Sequence, residues 1–209
     1  MGRGGVGPVP PRSDMEAGTV TSYQAEGFAE RALRTGWEEF SDTSWLLGRW
    51  PKVMAARTQR EVGLYRAFRL RHPRGRVVMV AAVPGGPFHA VAVERPGPGP
   101  RLHLIPESWT KQISAVMGSP EIQIGHPGVD ARWEVQAEDP GSARALLTGY
   151  VVDRLLWPDS SGLRVLLDVE DLVVYVQSPP HPSTTERMLQ VAFDLQGLLR
   201  SGTTLRPEP

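Results

Sequence analysis

The chain of 209 residues contains no cysteine. Disulfides, thiolate zinc sites, iron–sulfur clusters and cysteine nucleophiles are excluded together by that one absence. Lysine is nearly missing too, occurring only at Lys52 and Lys111, so almost all basic character rests on arginine. Charge of one sign is not in excess: 23 basic and 23 acidic residues leave a formal net charge of zero. No global field therefore draws the chain to nucleic acid or to an anionic membrane. Long hydrophobic runs are also lacking. The first twenty residues hold no apolar core of a signal peptide, and nowhere do ~20 consecutive apolar residues supply a membrane span. The expectation is a soluble cytoplasmic protein.

Catalytic signatures are equally scarce. Ser119, Ser160, Ser161 and Ser178 lie outside any Gly-x-Ser-x-Gly elbow. The opening GRGGVG precedes neither strand nor helix, and no Gly-Lys-Ser/Thr occurs, so a phosphate-cradling loop is not indicated. No dense His and carboxylate cluster suggests a metal. No cofactor is expected.

Glycine and proline are plentiful, at 22 and 20 residues. They gather at the N-terminus, around Gly85–Pro87 and in Pro96–Pro100, which reads as a globular core with loose ends and a stiff connector. The boundaries that follow are a disordered tail over 1–21, an N-terminal helix and three-strand meander over 22–100, a C-terminal α+β domain over 101–201, and a polar tail over 202–209.

From Ser22 the apolar residues Phe28, Ala32, Leu33, Trp37 and Phe40 recur at helical spacing, with Gly36 as a bend or stop. Pro51 interrupts a further apolar stretch carrying Trp45, Leu46, Leu47, Trp50 and Val53. The period then changes. Val62–Leu70, Arg76–Val83 and Phe88–Glu94 read as strands joined by turn residues, hence an antiparallel meander. Arg101–Ile105 predicts a strand, and Pro106 and Ser108 open a helix with Trp109, Ile113 and Val116. Glu121–His126 and Arg132–Ala137 predict two strands around a loop at 127–131. Asp139-Pro140 marks a capped helix start, and Thr148 can cap the next helix, which Trp157-Pro158 ends. Leu163–Asp168 and Asp171–Val176 predict a hairpin. Ser183-Thr184-Thr185-Glu186 is a capping box opening a final helix, with Gly202 at its end. Runs of strands broken by runs of helices give an α+β class, with antiparallel meanders packed against helices. Each half holds a meander flanked by helices, which allows two similar halves.

The run Val129-Asp130-Ala131-Arg132-Trp133-Glu134-Val135, followed by Asp139-Pro140 and by Ala143-x-Ala145-Leu146-Leu147-Thr148, resembles a family of uncharacterised actinobacterial proteins known only as a domain of unknown function. The resemblance extends roughly over residues 102–199. It implies a strand, an Asp-Pro turn, a helix junction, a hairpin and a last helix, and it implies no activity. The bias toward Arg, Ala, Gly, Pro and Val agrees with a GC-rich genome of that kind.

Three constellations remain as candidate sites. His126 and Asp130, four apart, with Arg132 beside them, form a candidate ligand-binding group, with His89 or His103 as a further member. The plainer alternative is that His126 closes a strand and Asp130 caps a turn. Arg66, Arg69, Arg71, Arg74 and Arg76 surround the first hairpin with Tyr65 and Phe68; at zero net charge a solvated hairpin is favoured, and no nucleic-acid partner is expected. Trp37, Trp45 and Trp50 form the candidate protein-binding group, because interfaces are rich in Trp and Arg. The function expected is therefore non-enzymatic: an accessory or scaffold protein that binds a protein partner or itself. The alternative is a small-ligand binder or enzyme with a pocket between the meanders.

Overall fold

Gly36 decides how the N-terminal segment begins. In a computed structural model the chain is described over residues 26–54, 66–81, 88–97, 99–107 and 122–204. The first helix, α1, occupies 26–34. Gly36 then sits at φ 88°, a left-handed backbone that glycine reaches without a Cβ penalty and that commonly ends helices. Of the two outcomes expected at Gly36, a bend or a stop, the chain takes the stop, and Trp37 and Phe40 lie beyond the helix: Glu38–Phe40 is a strand, β1. Trp37 and Phe40 now point to opposite sides of the sheet.

The remaining elements are α2 (Trp45–Arg49), α3 (Pro51–Met54), β2 (Arg66–His72), β3 (Gly75–Ala81), β4 (His89–Glu94), β5 (Leu102–Pro106), α4 (Pro127–Asp130), β6 (Trp133–Ala137), α5 (Pro140–Leu146), α6 (Gly149–Leu156), a 3-10 turn (Pro158–Ser160), β7 (Arg164–Leu167), β8 (Asp171–Val176) and α7 (Pro182–Thr204). The expected N-terminal tail, the Ser22 cap, the turn at Pro84–Pro87 and the helix containing Trp109, Ile113 and Val116 lie outside the described residues.

The described strands form one eight-stranded sheet in the order β1-β2-β3-β4-β8-β7-β5-β6. Every pairing in it is antiparallel. The β2–β3–β4 meander and the β7–β8 hairpin appear where the turn residues put them. The two halves meet in register, His89 opposite Val176 through Glu94 opposite Asp171. A single sheet therefore crosses the boundary near residue 100, and the class is α+β.

Alternation along the strands builds two cores. Val77, Met79, Val91, Val93, Leu104, Val135, Leu172 and Val174 face α1, α5, α6 and α7, which contribute Phe28, Ala143, Leu155, Met188 and Leu195. Val78, Val80, Ala90, Ala92, Val173 and Tyr175 face Leu46 of α2, Met54 of α3 and Trp50 between them. Burying each such aliphatic side chain contributes about 1.5–3 kcal/mol. The result is a helix–sheet–helix sandwich.

Three local expectations are corrected. Residues 122–126 make no strand; Ile122 N–H donates a lone bond to the Val135 carbonyl at 2.8 Å, and the expected loop at 127–130 is the short helix α4. The N-terminus of α7 is set by His181 and not by Ser183. Pro182 occupies the first helical position, where its missing N–H is harmless, and Ser183 N–H donates to His181 Nδ1 at 3.3 Å. Finally, α7 continues past Gly202 to Thr204. The Asp139 cap forms as expected, accepting from Gly141 and Ser142 N–H at 3.0 and 3.1 Å. Thr148 has the extended backbone of a cap, but its hydroxyl donates back to the Ala145 carbonyl at 3.4 Å.

Candidate functional site

The ligand-binding group expected from sequence is taken up by backbone. Asp130 accepts from Ile124 N–H at 2.8 Å and from Gly125 N–H at 2.9 Å, one bond per oxygen. His126 stands exposed at the N-terminal end of α4. Arg132, also exposed, donates to the Leu156 carbonyl at 2.8 Å. This corner orders a loop.

The other two histidines are separated by the sheet itself. His89 lies on the α7 side, edge-on to Phe28 with ring centroids 5.3 Å apart, its Nε2 3.3 Å from Thr185 Oγ1. His103 lies on the opposite side, stacked on Tyr175, with Nε2 2.7 Å from the phenol oxygen. Burial pushes both imidazoles down to about 3, helped at His89 by His181 and at His103 by Arg164 and Lys52. Burial pushes the Tyr175 phenol up to about 12. All three are neutral at pH 7 and packed as core. A cavity of about 10 Å³ beneath α6 is lined by Leu104, Leu147, Val151, Leu155 and neighbouring aliphatics; room for one water without polar partners stays dry. Among the described residues no three His, Asp or Glu side chains are grouped to hold a metal. His89, His103, His126 and Arg132 are thus not brought together.

Two arginines of the first hairpin find acids on β1. Arg66 makes a two-pronged pair with Glu39 at 2.6 and 2.7 Å, and Arg69 meets Glu38 at 2.7 Å. The short edge strand β1 matches charge for charge across the register Glu38–Arg69.

The tryptophans divide. Trp37 is buried on the α1 side. Trp50 is fully buried on the other side, and its indole N–H donates to Asp171 Oδ2 at 2.8 Å. The same carboxylate accepts from Arg49 Nε and Nη2 at 2.5 and 3.0 Å, so α2 is bolted to the start of β8. Trp45 is half-buried, edge-on to Trp50 at 5.7 Å, with its N–H donating to the Asp42 carbonyl at 2.9 Å. Of the three, Trp45 alone reaches the surface.

Among the described residues, the most exposed large aromatics are Tyr150 on α6 and Trp157 just past its end. Val152 and Leu155 are buried against the sheet, which turns Tyr150 and Asp153 outward and leaves Trp157 outward just past the helix end. Tyr150 is 78% exposed and Trp157 56%. Spacings of three and four place all three along one side of the helix. Trp157 is held in place from below: the Arg154 guanidinium lies 5.0 Å from its ring centre. That guanidinium is itself immobilised, donating through Nε to Asp194 at 2.8 Å, through Nη1 and Nη2 to Asp159 at 2.8 and 2.9 Å, and to Ser160 Oγ at 2.9 Å. A rigid amphipathic ring with an open face loses little freedom on contact, which is why such rings anchor interfaces. This pair is absent from the sequence-based candidates. The signal was available: once Val151, Val152, Leu155 and Leu156 turn inward, positions 150, 153 and 157 must turn outward.

Fold and surface together define an α+β protein built on one antiparallel sheet between two helical layers, with a fixed aromatic pair on an outer helix. Among solved structures the fold is similar to that of the mycobacterial trehalose monomycolate transport factor A, TtfA. The TM-score is 0.63 at 15% identity, over 90% of this chain and 98% of that one. No protein-family model matches the sequence, and no curated protein matches it.

Proposed function

We propose that this protein is a non-enzymatic accessory component that binds another protein through the Tyr150–Trp157 side of α6. The observation that carries the reading is the exposed aromatic pair mounted on the immobilised Arg154 base. The similarity in fold to a transport factor supports a role in a transport-associated assembly. A cytoplasmic location and membership of the uncharacterised actinobacterial family belong to the same reading. Among the described residues no helix is long and apolar enough to cross a membrane.

The test is crosslinking in the host followed by recovery of the tagged chain. Wild type is expected to retain a discrete partner that the double variant Tyr150→Ala, Trp157→Ala loses while its circular dichroism is unchanged. Equal recovery by both would remove this surface from the function, and a Trp45→Ala comparison would show whether the α2 face serves instead.

A further inference from the structure

The start of α7 carries two histidines joined through one threonine. His181 caps the helix: the backbone N–H of Ser183 donates to its Nδ1 at 3.3 Å, and the Ser183 hydroxyl lies 2.8 Å from the same nitrogen. A backbone N–H can only donate, so Nδ1 offers its lone pair and the neutral ring carries its proton on Nε2. The His181 carbonyl in turn accepts from Thr185 N–H at 2.9 Å and from the Thr185 hydroxyl at 3.0 Å. With its hydrogen committed there, Thr185 Oγ1 accepts from His89 Nε2, 3.3 Å away. His89 Nδ1 is therefore a bare acceptor, buried and without a partner among the described residues.

Each ring thus keeps one unprotonated nitrogen, and a proton on either acts against the closed turn. On His181 Nδ1 it abolishes the acceptor that holds Ser183 N–H and sets a positive charge at a helix N-terminus, the end that disfavours cations. On His89 Nδ1 it makes a buried charge among apolar neighbours, with Ala81 of β3 and Val176 of β8 on either side and Phe28 of α1 on the ring. Among the described residues no acid pairs with either histidine. The charged groups of the helices packed there are Glu26, Glu30, Arg31 and Arg34 on α1 and Glu186 and Arg187 on α7, and none of them bonds to either ring. The charge that bears on His89 is that of His181, of like sign once protonated.

We propose that this pair is an acid-operated latch, in which the first turn of α7 opens away from β4 by taking up a proton on each histidine. Burial and His181 hold the His89 imidazole down at about 3 while the turn is closed, against 6.5 for a ring in water. The open state therefore binds more protons than the closed one. Opening is favoured as pH falls below about 6.5, by up to about tenfold per pH unit for each proton taken up. The latch stands whether or not α6 binds a partner.

The test is hydrogen exchange on the full-length chain between pH 7 and pH 5, corrected for the intrinsic pH dependence of exchange. Below pH 6, opening of the amides of 185–189 is expected to rise by more than tenfold per pH unit, ahead of the amides of β3. His181→Asn keeps a capping acceptor that does not titrate and is expected to reduce that rise to tenfold or less. Adding His89→Leu is expected to remove the rest. Equal pH dependence in wild type and His181→Asn would overturn the latch; that position is exposed, so it decides the matter even if His89→Leu fails to fold. Exchange in β3 that keeps step with 185–189 at every pH would also overturn it, by showing that acid unfolds the whole sheet rather than releasing one turn.

Discussion

One carboxylate and two imidazoles carry much of what is specific here. Asp171, at the first position of β8, accepts from Trp50 and Arg49 and lies 3.5 Å from Arg76. Asp171→Ala strands a buried indole N–H and leaves Arg49 with Glu170 alone, so a loss of about 2–4 kcal/mol is expected, read as a lowered denaturation midpoint. The buried histidines predict how stability follows pH. Their folded values lie near 3 against 6.5 when unfolded, so the folded state refuses protons that the unfolded chain accepts. Their contribution is complete above pH 6.5 and is lost as pH falls toward 3, by up to about 1.4 kcal/mol per pH unit for each histidine. Denaturation midpoints measured from pH 7 to pH 4 should fall in that sense. In His103→Phe the slope should shrink, and an unchanged slope would mean that His103 is already protonated in the fold.

At the scale of elements, Arg154 joins α6, the 3-10 turn and α7 through Asp159, Ser160 and Asp194. Lysine cannot reproduce a fork that serves three partners. Arg154→Lys is expected to cost about 2–4 kcal/mol and to raise hydrogen exchange over 149–160 more than in the β2–β4 meander. Uniform loss of protection would instead place Arg154 in the global fold. The same scale separates what sequence reveals from what it hides. The Asp139-Pro140 start, the meander and the Val169-Glu170 hairpin were legible, because each is decided by residues within a few positions. β1 was not, since three residues become a strand only by pairing with β2, nearly thirty positions away. His181, between two prolines, reads from sequence as a turn residue, because the more familiar cap, Ser183, stands two residues on. The inward turn of Trp50 depends on Asp171, which is 121 positions distant. The outward face of α6 is legible in its phase, but a lone Tyr and Trp seven apart give a weaker signal than the denser run of tryptophans before them.

For the whole molecule, the decisive contact is β4 against β8. Six residue pairs join them, from His89–Val176 to Glu94–Asp171, and α2 from the first half caps β8 from the second. Composition suggests a boundary near the proline-rich connector, but neither half can bury its sheet face or its β4 or β8 edge without the other. A single cooperative transition is therefore expected, with far-UV circular dichroism and tryptophan fluorescence coinciding. Val91→Ala, a truncation in β4 on the α7 side, should cost about 2 kcal/mol. Because Trp37 reports on one half and Trp133 on the other, that loss should appear equally in single-tryptophan versions retaining either one. If Trp37 shifted while Trp133 did not, the halves would be unfolding as separate units, and the continuous sheet would be a docking of two domains rather than one.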